Sequence, residues 1–263
     1  MPEIVVTTSR QGNTELLAAA RAWGARLNAP VVERAGRSLE RLERDEAAPG
    51  ILVITPERVS YHIPSTGTEY FFHPNMARTR LHSLRDGRGD PMVTAMALGE
   101  GDSVLDCTLG RAADAIVAAH VVGDAGRIVG LEVVPVVAQL TIAGLAEYED
   151  QSPVVTAAMR RIEAHQASYG EYLPGCADGA FDIVYFDPIF DQPLLLSEAM
   201  APLRAVADHS PLTEATLAEA RRVARRRVVI KQRKGTGLWE RLGITTLVAG
   251  PGSRVEYGVI GGG

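Results

Sequence analysis

A chain of 263 residues, 46% of them hydrophobic, is long enough to bury a full core as one large domain or as a large and a small unit. Aromatic residues are only 5% and the apolar set is mostly Ala, Val, Leu and Ile, which favours a parallel sheet covered by helices over a β-sandwich. The net charge of -5 excludes a global positive field that would draw the chain onto nucleic acid, and 2 cysteines, Cys107 and Cys176, exclude a disulfide framework. No apolar run reaches the length of a membrane span and residues Met1 to Arg10 lack a signal-peptide pattern, so the expected location is cytoplasmic.

In chain order, IVVTT (Ile4 to Thr8) reads as a strand, Thr14 to Leu27 as an Ala-rich amphipathic helix, and Ser38 to Asp45 as a polar helix. ILVIT (Ile51 to Thr55), RVSYHI (Arg58 to Ile63) and TEYFF (Thr68 to Phe72) read as strands, the last two joined by a hairpin turn at Pro64 to Gly67. Two helices between Pro74 and Leu98 flank the breaker-rich stretch Asp86 to Pro91, a natural boundary. The predicted units are therefore a small N-terminal α/β unit, 1–88, and a larger domain, 89–263. From Ser103 onward short apolar runs alternate with helical stretches: SVLD, Ala112 to Ala119, RIVGLE, Pro135 to Tyr148, RIEAH, FDIVYFD and RVVIK. This alternation predicts a parallel sheet with helices on both faces. ITTLVAG (Ile244 to Gly250) and RVEYGVI (Arg254 to Ile260) then form a hairpin across a Pro-Gly turn, with Gly261 to Gly263 read as a disordered tail. A doubly wound sheet closed by an antiparallel hairpin fits the seven-stranded class I (Rossmann-like) methyltransferase sheet better than a dehydrogenase.

VLDCTLGRAADA (Val104 to Ala115) is a strand, a tight turn and a helix start. Asp106 ends the strand, Gly110 permits close backbone approach, and Ala112 is small enough to replace a second glycine. Glu132 ends the next strand, where a carboxylate can accept from both hydroxyls of a ribose; its spacing from Asp106 exceeds the usual ~20 residues, which predicts an extension around Val121 to Gly126. The loop does not favour a dinucleotide. Only Gly110 of a GxGxxG pattern is present, and Asp114 at the helix start would repel a pyrophosphate. A ligand carrying a sulfonium and an amino group prefers such carboxylates, which points to S-adenosylmethionine (SAM), with S-adenosylhomocysteine as product.

FDIVYFDPIF (Phe181 to Phe190) ends a buried strand in the tetrad Asp187-Pro188-Ile189-Phe190. The lone pair of an exocyclic amine is delocalised into its ring, and an acceptor pair on its N–H groups would localise that pair and aim it at a methyl carbon. The Asp187 carboxylate and Pro188 carbonyl supply those acceptors, and Phe190 supplies a face for stacking a base. These three are the predicted catalytic residues. No metal is expected, because His73, His82 and His165 lack ligand spacing. His165 reads either as a strand-end residue near an adenine or as a core histidine, and Cys107 as inert core.

These stretches resemble the RsmJ-like methyltransferases, which modify the N2 amino group of a guanine in small-subunit ribosomal RNA. The similar segments are RTRLHSLRDGRGDPMVTAMAL, VLDCTLGRAADAIVAA, GLEVVPVVAQL, RIEAHQASYGEYL, FDIVYFDPIF and ARRVARRRVVIKQRK, covering most of Arg78 to Lys234. The resemblance implies cofactor contacts at Asp114 with Ala113, Glu132 with Val133, Ala167 with Ser168, and Asp187. With the loop residues, the expected cofactor set is Asp106, Thr108, Gly110, Asp114, Glu132, Val133, Ser168 and Asp187. Ala113 stands where arginine is common, Ala167 where serine is, Val133 where a basic residue is, and Ile189 where methionine is usual. Met1 to His73 matches far less well, as in a divergent branch.

RNA binding would need local basic surface. RRVARRRVVIKQRK (Arg221 to Lys234) carries eight cations in fourteen residues and reads equally as a phosphate contact or as a solvated face at a helix end. Arg78, Arg80 and Arg88 on the connector, with Lys231 at the ligand end of its strand, are the expected RNA contacts; Arg85 belongs to the same connector cluster. The alternatives are a small-molecule N-methyltransferase, which the acidic charge favours, and a non-catalytic RNA-binding or assembly protein.

Overall fold

The computed structural model describes residues 3–188 and 212–262. They fall into two compact units, one ending at Phe72 and one beginning at His73.

The first unit holds β1 (Ile4–Thr8), α1 (Thr14–Leu27), α2 (Leu39–Glu46), β2 (Gly50–Ile54), β3 (Val59–Ile63) and β4 (Thr68–Tyr70). Its sheet runs β1-β2-β3-β4, with β1 parallel to β2 and the remaining pairs antiparallel. Both helices start where a polar side chain can accept from an otherwise unsatisfied N–H: Asn13 Oδ1 takes Leu16 N at 2.8 Å and Ser38 Oγ takes Arg41 N at 3.2 Å. Pro64–Thr66 forms a 3-10 turn that Gly67 ends at φ +67°, the conformation glycine adopts at least cost. The core is Val5, Leu42, Ala48, Ile51 and Val53.

The second unit begins with α3 (Asn75–Arg85) and α4 (Pro91–Met96), so the breaker stretch Asp86 to Pro91 separates two helices of this unit. There follow β5 (Ser103–Asp106), α5 (Ala113–Val122), β6 (Arg127–Glu132), α6 (Pro135–Glu147), α7 (Pro153–Arg160), β7 (Ile162–Gln166), α8 (Tyr169–Tyr172) and β8 (Phe181–Phe186). After residue 211 come α9 (Glu214–Val223), β9 (Ala224–Arg233), α10 (Leu238–Leu242), β10 (Thr246–Val248) and β11 (Val255–Gly261). The seven-stranded sheet has the order β10-β11-β9-β8-β5-β6-β7. Strands β5 to β9 are parallel, and β11 runs antiparallel to both β9 and β10. This is the class I methyltransferase sheet with its C-terminal antiparallel hairpin.

The apolar runs are buried because both faces are covered: Leu105, Val129, Val184, Phe186, Val228 and Ile230 all enter one core. Gly123, at φ +67°, ends α5 and starts the turn into β6, which accommodates the long spacing from Asp106 to Glu132. Gly261 is not part of a tail. It ends β11 opposite Arg227, and Gly262 N donates to Arg226 O at 2.9 Å, because the edge strand gains ladder bonds by continuing. Among the described residues no helix is long and apolar enough to cross a membrane.

The chain leaves β5 toward β6 and β7, then returns to β8 on the other side of β5. A reversal of this kind opens a crevice at the carboxyl ends of the two strands, where open α/β sheets bind ligands. Asp106 and Asp187 stand at those ends.

Candidate functional site

The turn after β5 is built from its own backbone. Asp106 Oδ1 accepts from Thr108 N at 3.0 Å, Leu109 N donates to Leu131 O at 2.8 Å, and Ala112 N donates to Leu109 O at 2.7 Å. Gly110, at φ +51°, donates its N–H to Glu132 Oε2 at 3.0 Å, while its carbonyl accepts from Thr141 Oγ1 at 2.6 Å. Glu132 Oε1 also takes Val134 N at 2.9 Å. These loop amides are turned inward, so they do not form the open nest of N–H groups that a pyrophosphate needs. The loop also packs closely: a Cβ on Gly130 would lie 2.4 Å from Leu109 Cδ1.

What faces the crevice is carboxylate. Asp106 is 2% exposed, and burial pushes its carboxyl up to about 8 despite the Thr108 N–H. A desolvated acid of this kind is stabilised by a cationic ligand. A carboxylate such as Glu132 can accept about four hydrogen bonds, so the group that fixes the loop can also take hydroxyls. This acceptor set therefore suits a ligand with positive charge and a ribose.

Asp187 follows β8. Its backbone N–H donates to Thr108 Oγ1 at 2.6 Å, and its Oδ2 accepts from Lys231 Nζ at 2.7 Å. Lys231, on β9, also reaches Asp114 Oδ2 at 3.0 Å, and Asp114 accepts from Tyr185 Oη at 2.8 Å and from Arg80 Nη1. Arg80, on α3, grips Asp90 through Nε at 2.7 Å and Nη2 at 2.9 Å, while Asp90 caps α4 by accepting from Met92 N and Val93 N.

Burial opposes the charge on Asp114, but Lys231 and Arg80 overcome it and hold that carboxyl well below the usual range. Burial likewise opposes the charge on Lys231, and Asp114 and Asp187 hold its ammonium above its ordinary value. At Asp187 burial outweighs Lys231, and the nearby Asp114 charge adds to it, so its carboxyl is raised.

The structure thus brings Asp106, Thr108, Gly110, Asp114, Glu132, Asp187 and Lys231 together. Val133 is 37% exposed beside Glu132, and Ser168 caps α8 by accepting from Gly170 N, one residue after Ala167 N donates to Glu132 O. Pro188 follows Asp187, whereas Ile189 and Phe190 lie outside the described residues.

The basic residues are arranged differently from the sequence expectation. Arg80 does not face outward: it is committed to Asp90 and Asp114. Arg78 is paired with Asp150, and Arg88, 67% exposed, pairs with Asp86. In the run from Arg221, Arg222 holds the carbonyls of Leu173 and Cys176, Arg225 pairs with Asp182, Arg226 with Asp102, and Arg227 bonds Ala95 O. These contacts lie toward the start of β9, at the opposite end of the sheet from the crevice. His165 bonds Glu163 at 2.9 Å and stacks on Tyr172, and so is not a core histidine. Cys107 is buried, and burial pushes its thiol up. Tyr185, Asp90 and Thr141 belong to the site without carrying a motif; the one signal is the hydroxyl of Tyr185 inside the apolar run FDIVYF. Among the described residues no group of His, Cys, Asp or Glu is placed to hold a metal ion.

Comparison with known proteins gives the same picture. The chain matches a family described as "Putative SAM-dependent methyltransferase" over residues 38–243. It is 36% identical over 256 residues to the uncharacterized protein YpiP of Bacillus subtilis, covering 97% of this chain and 98% of that one. It is 30% identical over 191 residues to ribosomal RNA small subunit methyltransferase J of Edwardsiella ictaluri, covering 69% of this chain and 74% of that one. In fold it is similar to a SAM-dependent methyltransferase from Neisseria gonorrhoeae, with a TM-score of 0.59 at 19% identity over 97% of this chain and 94% of that one.

Proposed function

We infer that this chain, which belongs to the SAM-dependent methyltransferase family, methylates the N2 amino group of a guanine in small-subunit ribosomal RNA. SAM is the cofactor and supplies a methyl carbon already activated by a sulfonium. The carboxylate acceptor set at the crevice fits it. Glu132 would accept the ribose hydroxyls, Asp106 would face the cationic part, and Thr108, Gly110, Val133 and Ser168 would line the same crevice.

The remaining work is positioning the amine. The observation that carries the reading is the Asp187 carboxylate at the topological switch point, fixed through its backbone by Thr108 and through Oδ2 by Lys231. From there Asp187 and the Pro188 carbonyl accept the two N–H groups of the amine, and Phe190 stacks the base, which is flipped out or already single-stranded. Ribosomal RNA as substrate is supported by the relatives named ribosomal RNA small subunit methyltransferase J, and it implies a cytoplasmic protein. Arg88, which is largely exposed, and Arg78, partly exposed beside Asp150, are the residues we assign to phosphate, with the N-terminal unit helping to grip RNA.

Asp187→Ala tests the assignment on in vitro transcribed small-subunit RNA. Transfer falls at least about 100-fold in protein that keeps its parental Tm; normal methylation would sink the catalytic role. Mapping the methyl group missing from ribosomal RNA of a deletion strain identifies the nucleotide. A small-molecule amine is the second reading, favoured by the net charge of -5 and by the commitment of Arg80 to Asp90 and Asp114. It predicts transfer to a free nucleoside at the rate seen with RNA.

A further inference from the structure

The ammonium of Lys231 lies between two carboxylates that belong to different parts of the site. One is Asp114, in the first turn of the helix after the cofactor loop; the other is Asp187. Asp114 cannot swing, because Arg80 and Tyr185 hold it from two further elements, and Arg80 is itself forked onto Asp90. Lys231 therefore spans from an immobile anchor to the carboxylate that follows β8. Two bonds then fix Asp187, one at its amide and one at Oδ2, leaving Oδ1 to turn toward an amine.

We propose that Lys231 is a positioning residue for methyl transfer, a strut from Asp114 that sets the orientation of the Asp187 carboxylate, and not a contact to RNA phosphate. The inference rests on the reading of Asp187 as the group that receives the amine. Charge supports it. Two cations, Arg80 and Lys231, meet three carboxylates, Asp90, Asp114 and Asp187, so the cluster is negative overall and repels a phosphate. Two of the three donors on the ammonium are already engaged, and its side chain is only 20% exposed. The groups facing Asp187 are Asp106 at the end of β5, Asp114 on α5, Tyr185 on β8 and Lys231 on β9, with Arg80 on α3 and Tyr257 on β11 behind them. Lys231 is the cation nearest Asp187 among them, so its loss has a titration signature as well as a kinetic one.

The test uses the full chain, SAM and in vitro transcribed small-subunit RNA, with a carboxyl carbon-13 NMR titration of the protein alone. In Lys231→Met, kcat falls about 100-fold, KM for RNA changes less than about twofold, and the Asp187 titration midpoint rises because the neighbouring cation is gone. Lys231→Arg recovers about tenfold of the lost kcat, since the charge returns on a bulkier group. Parental kcat in Lys231→Met, or a raised KM with kcat intact, overturns the proposal. Should Lys231→Met not fold, Lys231→Met with Asp114→Asn removes one charge of each sign; a similar loss of kcat supports the strut and parental kcat overturns it. Asp187→Ala is run beside them. If it transfers normally, both the Asp187 reading and the strut fall; if it is inactive while Lys231→Met is fully active, only the strut falls. If the parent does not act on this RNA, the substrate reading fails alone, and the midpoint decides: a rise supports the strut and an unmoved midpoint overturns it.

Discussion

Replacing Arg80 by Met asks how much the ionic cluster contributes to stability. The arginine side chain is 21% exposed, and those of its partners Asp90 and Asp114 are 8% and 11% exposed. Met keeps an unbranched apolar stem, so the loss is mainly the charge and its forked hydrogen bonds. Removing one member of a buried ion pair costs about 3–5 kcal/mol, because the other is left buried and uncompensated. Here both carboxylates keep partners: Asp90 retains Met92 N and Val93 N, and Asp114 retains Lys231 and Tyr185. The low end, about 3 kcal/mol, is therefore expected, equivalent to a fall in Tm of about 6–12 °C for a domain of this size. Acid should erase the difference. Burial opposes ionisation of both carboxyls, but Arg80 and their other partners hold them below the ordinary 3.8 in the folded state. That stabilisation is complete above 3.8 and is lost as pH falls through the lower folded values. Urea unfolding followed by fluorescence of Trp239, in a Trp23→Phe background, reports the second unit. A loss under about 1 kcal/mol at neutral pH, or a gap that acid leaves unchanged, would refute the reasoning.

Three further outcomes follow from the cofactor crevice. Glu132→Ala strips the acceptor from Gly110 N and Val134 N, each worth about 1–3 kcal/mol when left unsatisfied. Calorimetry should show S-adenosylhomocysteine binding weakened about 10–100-fold, and unchanged affinity would remove Glu132 from the site. In Asp106→Asn the pH dependence changes. Burial raises the Asp106 carboxyl from 3.8 to about 8, so the folded chain holds a proton that the unfolded chain has lost across that window, and parental stability falls as pH rises through it. The Asn variant should lose that slope, and equal slopes in urea titrations of the two proteins would contradict the assignment. Gly130→Ala places a Cβ against the Leu109 side chain and displaces the loop, costing about 1–3 kcal/mol of stability. A variant with parental Tm and cofactor affinity would show that the loop has room to give.

The elements were legible where local chemistry sets them. Asn13 and Ser38 mark helix starts by side-chain acceptors, and the alternation after Ser103 specifies the parallel sheet. α7, α8 and α10 leave too few turns for a periodic signal, at 8, 4 and 5 residues. The ion pairs were not legible at all. Lys231 and Asp114 are 117 residues apart in sequence, and only the packing of β9 beside β8 brings that cation to the helix after β5. The same limit applies to the arginine run before it. A count of charges does not reveal partners, and Arg225 and Arg226 meet Asp182 and Asp102 only because of where β9 enters the sheet.

An Asp-Pro pair at a strand end is common, and nothing in those two residues selects methyl transfer. Chemistry enters through strand order. Because β8 lies against β5, the Asp187 amide reaches the Thr108 hydroxyl, and the loop that shapes the cofactor crevice also fixes the carboxylate. Because β9 lies on the other side of β8, its lysine reaches the same carboxylate from the opposite flank. On the proposed reading an acidic chain serves an RNA reaction without a basic face at the crevice: its inner cations order carboxylates, and the carboxylates would meet the two positively polarised partners, a sulfonium and the N–H groups of an amine. On the ribosomal RNA reading, affinity comes from outside this cluster, which makes exposed positions such as Arg88, and not Lys231, the ones whose removal should flatten the dependence of KM on salt.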